Sequence, residues 1–428
     1  MINNSTSNKP GYIFLVLGIV SFIIFMLMHV METVSHSGLF LVIGFVMIAL
    51  AVRWFPLLKG FSYSLWIFAS VTIAMYYPKY FLSAGDFEFS SLIVPLLQII
   101  MFGMGSQMSL NDFVGVIKMP KGVIAGVLCQ FTIMPVMGIF VATMFNFSPE
   151  IAAGLILVGS SPSGMASNVM SFLARANLAL SVTLTAFATL LSPLMTPLLM
   201  QLFAGEMVEI DFWNMMLGIF NMVILPICAG LIFNLFLNAK KSRKGRIIEM
   251  TSYIVIIILK NFLGYSTEAI DFSQFGIHLL KDLIIFGALP VIASYVFKLL
   301  ANGKRDALEK MLSFISMLGI AIIIVIITAA GRDSLIEVGL LLILACFLQN
   351  MFGYTLGYFT AKLLRLKEKD CRTIALEVGM QNGGLASGLA LQMGKVATVG
   401  LAPAIFGPMM NITGSAIATW WRGKTTTE

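Results

Sequence analysis

The sequence predicts an all-α polytopic membrane protein with an inverted internal repeat. Three features predict it: the composition, the length of the apolar runs, and two glycine-broken segments that match at long range. Hydrophobic residues make up 59% of the 428, and charged residues 11%. A soluble domain carries about 25% charged side chains. A water-soluble fold of this size would have to expose large apolar patches, and a bilayer removes that need. Only helices and closed barrels satisfy every backbone group in lipid. Runs near the ~20 residues that a helix needs to cross are far too long for barrel strands.

In chain order the apolar runs fall at 11–31, 38–52, 61–78, 90–108, 122–145, 151–173, 178–203, 212–237, 247–263, 277–299, 311–330, 335–360, 371–392 and 398–420. That makes fourteen segments, of which the second and ninth are short. The first follows a mostly polar stretch, is long for a signal-peptide core, and lacks a small-residue cleavage pattern after it. It reads as a retained transmembrane helix.

Charge orients the set. With the N-terminus inside, all 27 lysines and arginines fall on or near the inner side except Lys79, Lys260, Lys281, Arg332 and Lys395. The inner loops hold Arg53 and Lys59, Lys118 and Lys121, Arg175, the cluster AKKSRKGR at 239–246, Lys304, Arg305 and Lys310, the run 362–372, and Arg422 with Lys424. The outer segment GEMVEID at 205–211 is acidic instead. This is the positive-inside bias of short loops. It predicts a multi-pass protein of the bacterial inner (plasma) membrane with both termini cytoplasmic. Removing a neighbouring pair of spans would keep the bias, so twelve spans stays open beside fourteen.

The net charge of +7 sits in these loops rather than in a surface stripe, so nucleic acid is not an expected partner. Cys129, Cys228, Cys346 and Cys371 are scattered without metal or disulfide spacing. His29, His36 and His278 form no ligand cluster. There is no nucleotide-binding loop, so no ATPase subunit is required, and no His/Asp or metalloprotease arrangement suggests an enzyme.

Sliding the chain over itself by 220 residues places Val158 on Val378, Gly159 on Gly379, Gly164 on Gly384, Ala166 on Ala386 and Ser167 on Ser387. Gln130 then falls on Asn350, amide on amide. The charge map runs the two copies in opposite directions, which is the plan of transporters whose broken helices place a binding site near mid-membrane. Proline at 162 and glycines at 164, 379, 383 and 384 suit such breaks. Close helix packing by small residues is the plainer reading of the same pattern.

Every acidic residue can be placed on one side or the other in this map except Glu377, which lies inside an apolar span, and a buried carboxylate is costly unless paired or coordinated. Gln381 and Asn382 follow it. Ser167 and Asn168, Gln130, and Ser181 with Thr185 one turn apart on one face offer further oxygens. Hard cations take oxygen ligands, and one carboxylate among neutral oxygens suits sodium better than a divalent ion. A protonated Glu377 in a hydrogen-bond network, or proton coupling, remains the competing reading, since burial raises a carboxylate pKa.

The segments GSSPSGMASNVMSFLARANLALSVTLTAFATLLSPLMTPLL at 159–199 and ALEVGMQNGGLASGLA at 375–390 resemble the bile acid:sodium symporter family. So do FGMGSQMSLNDF at 102–113, AGVLCQFTIMP at 125–135 and NITGSAIATWW at 411–421. The resemblance covers roughly 61–238 and 304–421. It implies inverted five-helix repeats, with two crossing broken helices (151–173 and 371–392) inside a core domain beside a panel domain. It also implies two sodium ions: a first site of Ser167, Asn168, Ser181, Thr185 and Glu377, and a second of Gln130, Glu377, Gln381 and the backbone carbonyls of Val378 and Met380.

Both crossovers depart from the family's usual wording. Ser161-Pro162-Ser163-Gly164 stands where relatives often read Cys-Pro-Gly-Gly, and Gln381-Asn382-Gly383-Gly384 where they often read Gln-Asn-Ser-Gly. Ser163, Asn382 and Asn411 are expected to border the substrate cavity. The implied organisation is an added helix pair over 1–60, the first repeat over 61–205 and the first helix of the second repeat over 206–238. An inserted pair follows over 239–303, then the rest of the second repeat over 304–421 and a cytoplasmic tail over 422–428. The function implied is sodium-coupled symport of a small organic anion (bile-acid-like, pantothenate-like or keto-acid) by alternating access. A proton-coupled organic anion carrier and a ligand-binding receptor on a transporter scaffold are the alternatives. The sequence does not choose a substrate or an oligomeric state.

Overall fold

The computed structural model describes residues 9–30, 34–55, 62–237, 243–267, 272–301 and 305–424. The loop positions Lys59, 239–242 and Lys304, and the tail from 425 on, lie outside them. Helices stand at every one of the fourteen apolar runs. Ten among the described residues are long and apolar enough to cross a membrane. The helix over the ninth run, Arg243–Ser266, is not one of those ten. Its first turns carry basic residues and Glu249, and Lys260 and Asn261 interrupt its second half.

The first helices are α1 (Lys9–Val30), α2 (Val34–Ala51), α3 (Ser62–Tyr76) and α4 (Ile93–Gln107). The short helix α5 (Leu110–Lys118) follows; a capping box between Ser109 and Asp112 satisfies its first turn. Then come α6 (Pro120–Met144), α7 (Pro149–Ser160), α8 (Ala166–Leu173) and α9 (Leu178–Ala204). Next are α10 (Phe212–Ile219) and α11 (Leu225–Leu237), joined through a π turn, then α12 (Arg243–Ser266), α13 (Phe272–Asp282) and α14 (Leu289–Ala301). The chain ends with α15 (Arg305–Ala330), α16 (Arg332–Leu363), α17 (Glu368–Gly379), α18 (Gly383–Gln392) and α19 (Leu401–Arg422).

Packing divides these helices. α3, α4, α11 and α15 form one panel. α6 to α9 and α16 to α19 form a second bundle around the two broken pairs, α7/α8 and α17/α18. The pair α1–α2 lies on α3, while α12 and α14 lie on α11. Much of α1 is exposed and apolar, as a lipid-facing surface requires.

The repeat is visible in the backbone, at a spacing of 219 rather than 220. α6 and α16 end at 144 and 363, α7 and α17 at 160 and 379, α8 and α18 at 173 and 392. The left-handed residues that close helices recur at the same spacing, Asn146 with Arg365 and Arg175 with Gly394. Around each, the same pair of bonds returns to the last turn, as in Phe147 N to Ala142 O and Leu366 N to Ala361 O. The two breaks differ in length, 161–165 against 380–382. The helices on both sides of the breaks keep the spacing of 219, so matching small residues at 220 overshoots the helix register by one.

Breaking a helix in lipid frees backbone groups that must be satisfied internally. Each break satisfies the other. Gly164 N donates to Met380 O at 2.9 Å and Asn382 N donates to Pro162 O at 2.8 Å. Together they form a short antiparallel bridge at Ser163 and Gln381. A Cβ at Gly164 would come within 2.8 Å of Gln381 O, so glycine is required by this close approach. Pro162 has no N–H to satisfy.

Candidate functional site

Glu377 sits in the last turn of α17 and is 2% exposed. α8 and α9 bring hydroxyls to it. Ser167 Oγ and Ser181 Oγ donate to its Oε1 at 2.6 and 2.5 Å, and Thr185 Oγ1 donates to its Oε2 at 2.8 Å. Asn168 Oδ1 accepts from Ser181 at 2.8 Å and from Thr185 at 3.3 Å. The five residues of the expected first site thus converge on one point. Their spacing explains it: Ser181 and Thr185 share one face of α9, and Ser167 and Asn168 open α8 immediately after the break. No lysine or arginine pairs with Glu377 among the described residues.

The second expected site is also assembled in large part. Gln130 Nε2 donates to Gln381 Oε1 at 2.6 Å and to Ser161 O at 2.9 Å. Gln381 Nε2 donates to Val378 O at 2.6 Å. Met380 O accepts from Gly164 N. Gln130 Oε1 is buried without a hydrogen-bond donor, an arrangement costly unless something else binds the oxygen. A carbonyl-type acceptor in want of a positive partner fits a hard cation, while the carbonyls of Val378 and Met380 each already accept one hydrogen bond.

A cavity of about 140 Å³ lies on the other side of the crossing, between panel and bundle. Ile100 and Met104 of α4 and Ile320 and Ile323 of α15 form its apolar wall, with Ile67 of α3. Its polar groups come from the two breaks, from Ser387 of α18 and from Asn411. The N-termini of α8 (Gly164 to Ala166) and α18 (Asn382 to Gly384) both border it. Helix N-termini favour negative charge. Asn382 spends its side-chain oxygen capping α18, through Leu385 N at 3.1 Å. Its NH₂ is left as the group it can offer the cavity. Asn411 lines the same space, its Nδ2 donating to Gly407 O.

Ser163, expected on the cavity wall, is placed differently. It is 2% exposed, does not line the cavity, and lies on the Glu377 side of the crossing. The antiparallel bridge turns alternate residues to opposite faces, which sends Ser163 toward the carboxyl.

Glu377 is not the only buried carboxyl. Asp282 is 7% exposed, but Lys260 Nζ and Asn261 Nδ2 both reach its Oδ2 at 2.9 Å. The partners lie on separate helices, so no local sequence pattern announced the pair. Asp282 is paired with Lys260 between α12 and α13, whereas Glu377 has no basic partner among the described residues. Other polar residues absent from the expected sites also support the crossing. Asn350 Nδ2 donates to Gly379 O at 2.7 Å, and its Oδ1 accepts from Thr413 Oγ1 at 2.6 Å. Gln349 Nε2 donates to Leu155 O at 3.0 Å. The amide match of Gln130 with Asn350 was the available signal.

A family model described as the sodium bile acid symporter family matches residues 94–265. A Bacillus subtilis (strain 168) protein described as an uncharacterized sodium-dependent transporter, YocS, is 33% identical over 366 residues, covering 85% of this chain and 92% of its own length. A probable sodium/metabolite cotransporter of Arabidopsis thaliana, the chloroplastic BASS1, is 28% identical over 326 residues, 76% of this chain and 65% of its own. The human ileal sodium/bile acid cotransporter is 26% identical over 306 residues, 70% of this chain and 68% of its own. The chain belongs to the sodium bile acid symporter family, and it is a transporter rather than an enzyme.

Proposed function

We propose that this chain is a sodium-coupled symporter that carries a small organic anion across the bacterial inner membrane by alternating access. The observation that carries the reading is Glu377: a buried carboxyl ringed by the oxygens of Ser167, Asn168, Ser181 and Thr185, without a basic partner among the described residues. A monovalent cation supplies the missing charge, and the neutral oxygens complete its shell. The printed names of the relatives, sodium-dependent and sodium/metabolite, support the same ion. Gln130, Gln381 and the carbonyls of Val378 and Met380 hold a second sodium ion, with Glu377 shared between the two sites.

The substrate binds in the cavity between panel and bundle, its anionic group at the N-termini of α8 and α18 near the Asn382 amide. The cavity, at about 140 Å³, is smaller than the roughly 300–1,000 Å³ of drug-sized ligand sites. That favours a small acid over a steroid. Sodium organises the crossing from behind and does not touch the substrate. Linkage then requires sodium and substrate to tighten each other by the same factor. The helices α1–α2 and α12–α14 lie outside this machinery, as added pairs that preserve the orientation of the repeats.

Proteoliposomes supplied from outside in turn with radiolabelled pantothenate, 2-keto acids and taurocholate test the reading. An inward sodium gradient should drive accumulation of one of the small acids, and a proton gradient alone should not. Accumulation driven by protons in the absence of sodium would replace the sodium reading with the proton-coupled one.

A further inference from the structure

Ser181 and Thr185 can bind with Glu377 only if α9 and α17 hold one axial and rotational register. A slip of one residue moves a helical side chain by 1.5 Å and 100°, enough to lose every one of those hydrogen bonds. One turn before the site, a second contact fixes that register. Asn177 caps α9, its Oδ1 accepting from Leu180 N at 3.2 Å. Its Nδ2 donates across to Asp370 Oδ1 at 2.7 Å, with a longer approach to Met119 Sδ at 3.7 Å. Its backbone N–H donates to Thr373 Oγ1 at 2.9 Å and to Lys369 O at 3.3 Å. Its carbonyl accepts from Thr373 Oγ1 at 3.1 Å and from Ser181 N at 3.0 Å.

Asn177, Ser181 and Thr185 are spaced by four along one face of α9, and Asp370, Thr373 and Glu377 by three and four along one face of α17. The two faces run parallel and zip together, with the Asn177 contact as the tooth before the Glu377 contact. At the same end of the bundle, the buried Arg372 donates to Ala174 O at 3.3 Å and Trp421 O at 3.1 Å and pairs with Glu368. This ties α17 to the end of α8 and to α19.

We propose that the Asn177–Asp370–Thr373 contact is a positioning latch that sets the register of α9 against α17 and thereby the sodium affinity of the Glu377 site. It rests on the sodium reading above. None of the three residues touches the ion.

Asn177→Asp separates the cap from the latch. An aspartate still caps α9, but it opposes the Asp370 carboxylate. Asp370→Asn added to it re-forms the bond with donor and acceptor exchanged. Thr373→Val removes the hydroxyl that bridges the Asn177 backbone. The readout is the thermal shift of the purified full-length protein in detergent, titrated with sodium chloride at constant ionic strength with choline chloride. It gives the sodium half-saturation separately from the sodium-free unfolding temperature.

Asn177→Asp should raise the half-saturating sodium concentration about five- to tenfold and Thr373→Val about threefold, as for one charged and one neutral hydrogen bond. The Asn177→Asp/Asp370→Asn pair should return to within about twofold of wild type. Wild-type sodium affinity in both Asn177→Asp and Thr373→Val overturns the latch, as does a double variant no better than Asn177→Asp. Should Asn177→Asp fail to fold, Thr373→Val decides alone. Glu377→Gln, titrated alongside, separates the two claims. If it responds to sodium as wild type does, the sodium site itself is wrong. If it is blind to sodium while the latch variants match wild type, only the latch is wrong.

Discussion

The two crossing pairs have one frame and unequal chemistry. α7/α8 and α17/α18 begin and end 219 residues apart, and each lends its freed backbone groups to the other at the bridge. Both direct a helix N-terminus at the cavity. The side chains do not follow. The position of the first repeat matching Glu377 is Val158, fully buried and apolar. Those of the second repeat matching Ser181 and Thr185 are Gly400 and Ala404. An amide does recur, Gln130 with Gln349 at this spacing and with Asn350 one residue on. Symmetry therefore builds the crossing and the anion-friendly cavity, while the proposed cation site joins a carboxyl of the second repeat to hydroxyls of the first, at positions that the symmetry does not repeat. Duplication supplies a pair of crossing broken helices; on the proposed reading, one carboxyl and the hydroxyls facing it make one side of the crossing a cation site.

The sharpest way to break this contrast is at the unmatched pair. Glu377→Gln should weaken sodium by more than about 100-fold, as loss of a buried charge from its partner costs several kcal/mol. Val158→Thr at the matched position should leave sodium affinity within about twofold. Sodium titration of transport in proteoliposomes measures both. The shared frame predicts a stability effect instead. Gly164→Ala forces a Cβ against the Gln381 carbonyl and should cost about 1–3 kcal/mol. Gly384→Ala meets the end of the flexible Leu97 side chain and should cost less, as read from unfolding in detergent. The reverse order would mean that the first break is not the tighter one.

Smaller effects sharpen the division of labour across the crossing. Thr185→Val removes one hydroxyl from the Glu377 carboxyl and should weaken sodium about tenfold. Asn382→Ala should weaken substrate severalfold, yet change sodium affinity measured without substrate by less than about twofold. Binding titrations with each ligand alone decide it. If Asn382→Ala hurts sodium as much as Thr185→Val, cavity and cation site are not separate.

The smallest effect belongs to the other end of the crossing. There Lys395 pairs with Glu150 at 2.5 Å, and the Lys395 and Thr398 hydrogen bonds hold the Glu150 carboxyl below its usual range. A lowered carboxyl contributes stability above its ordinary range, and that stability is lost as pH falls through its folded value. Half-exposed, it contributes little. Glu150→Gln should flatten the acid side of the stability profile slightly and leave sodium affinity unchanged.

Much of this was legible in the residues, for physical reasons. Glu377 stands out because charge inside an apolar run is expensive, and the breaks stand out because Pro162 and the glycines cannot continue a helix in lipid. The convergence of Ser167, Asn168, Ser181 and Thr185 on Glu377 follows from helical spacing once the crossing is granted. Three features were hidden. Ser163 turns to Glu377 because the bridge alternates its faces, which the string Ser-Pro-Ser-Gly does not reveal. Asp282 looks like a helix-end residue until Lys260 of another helix meets it. Asn177 reads as an ordinary helix cap in a polar turn, and only the fold shows that its amide grips α17. The matches of Val158 with Val378 and Gly159 with Gly379 fall one residue off the helix register, because the sequence displays identities of small residues and not the helix ends that fix the spacing at 219.

The central claim, a sodium site that joins the unrepeated Glu377 carboxyl to hydroxyls of the other repeat, is tested most directly by equilibrium binding of radiolabelled sodium to purified wild-type protein and to Glu377→Gln, without substrate. The account predicts saturable binding approaching two ions per chain in the wild type, and loss of high-affinity binding in Glu377→Gln with the protein still folded. Saturable sodium binding of the same affinity and stoichiometry in Glu377→Gln would contradict it.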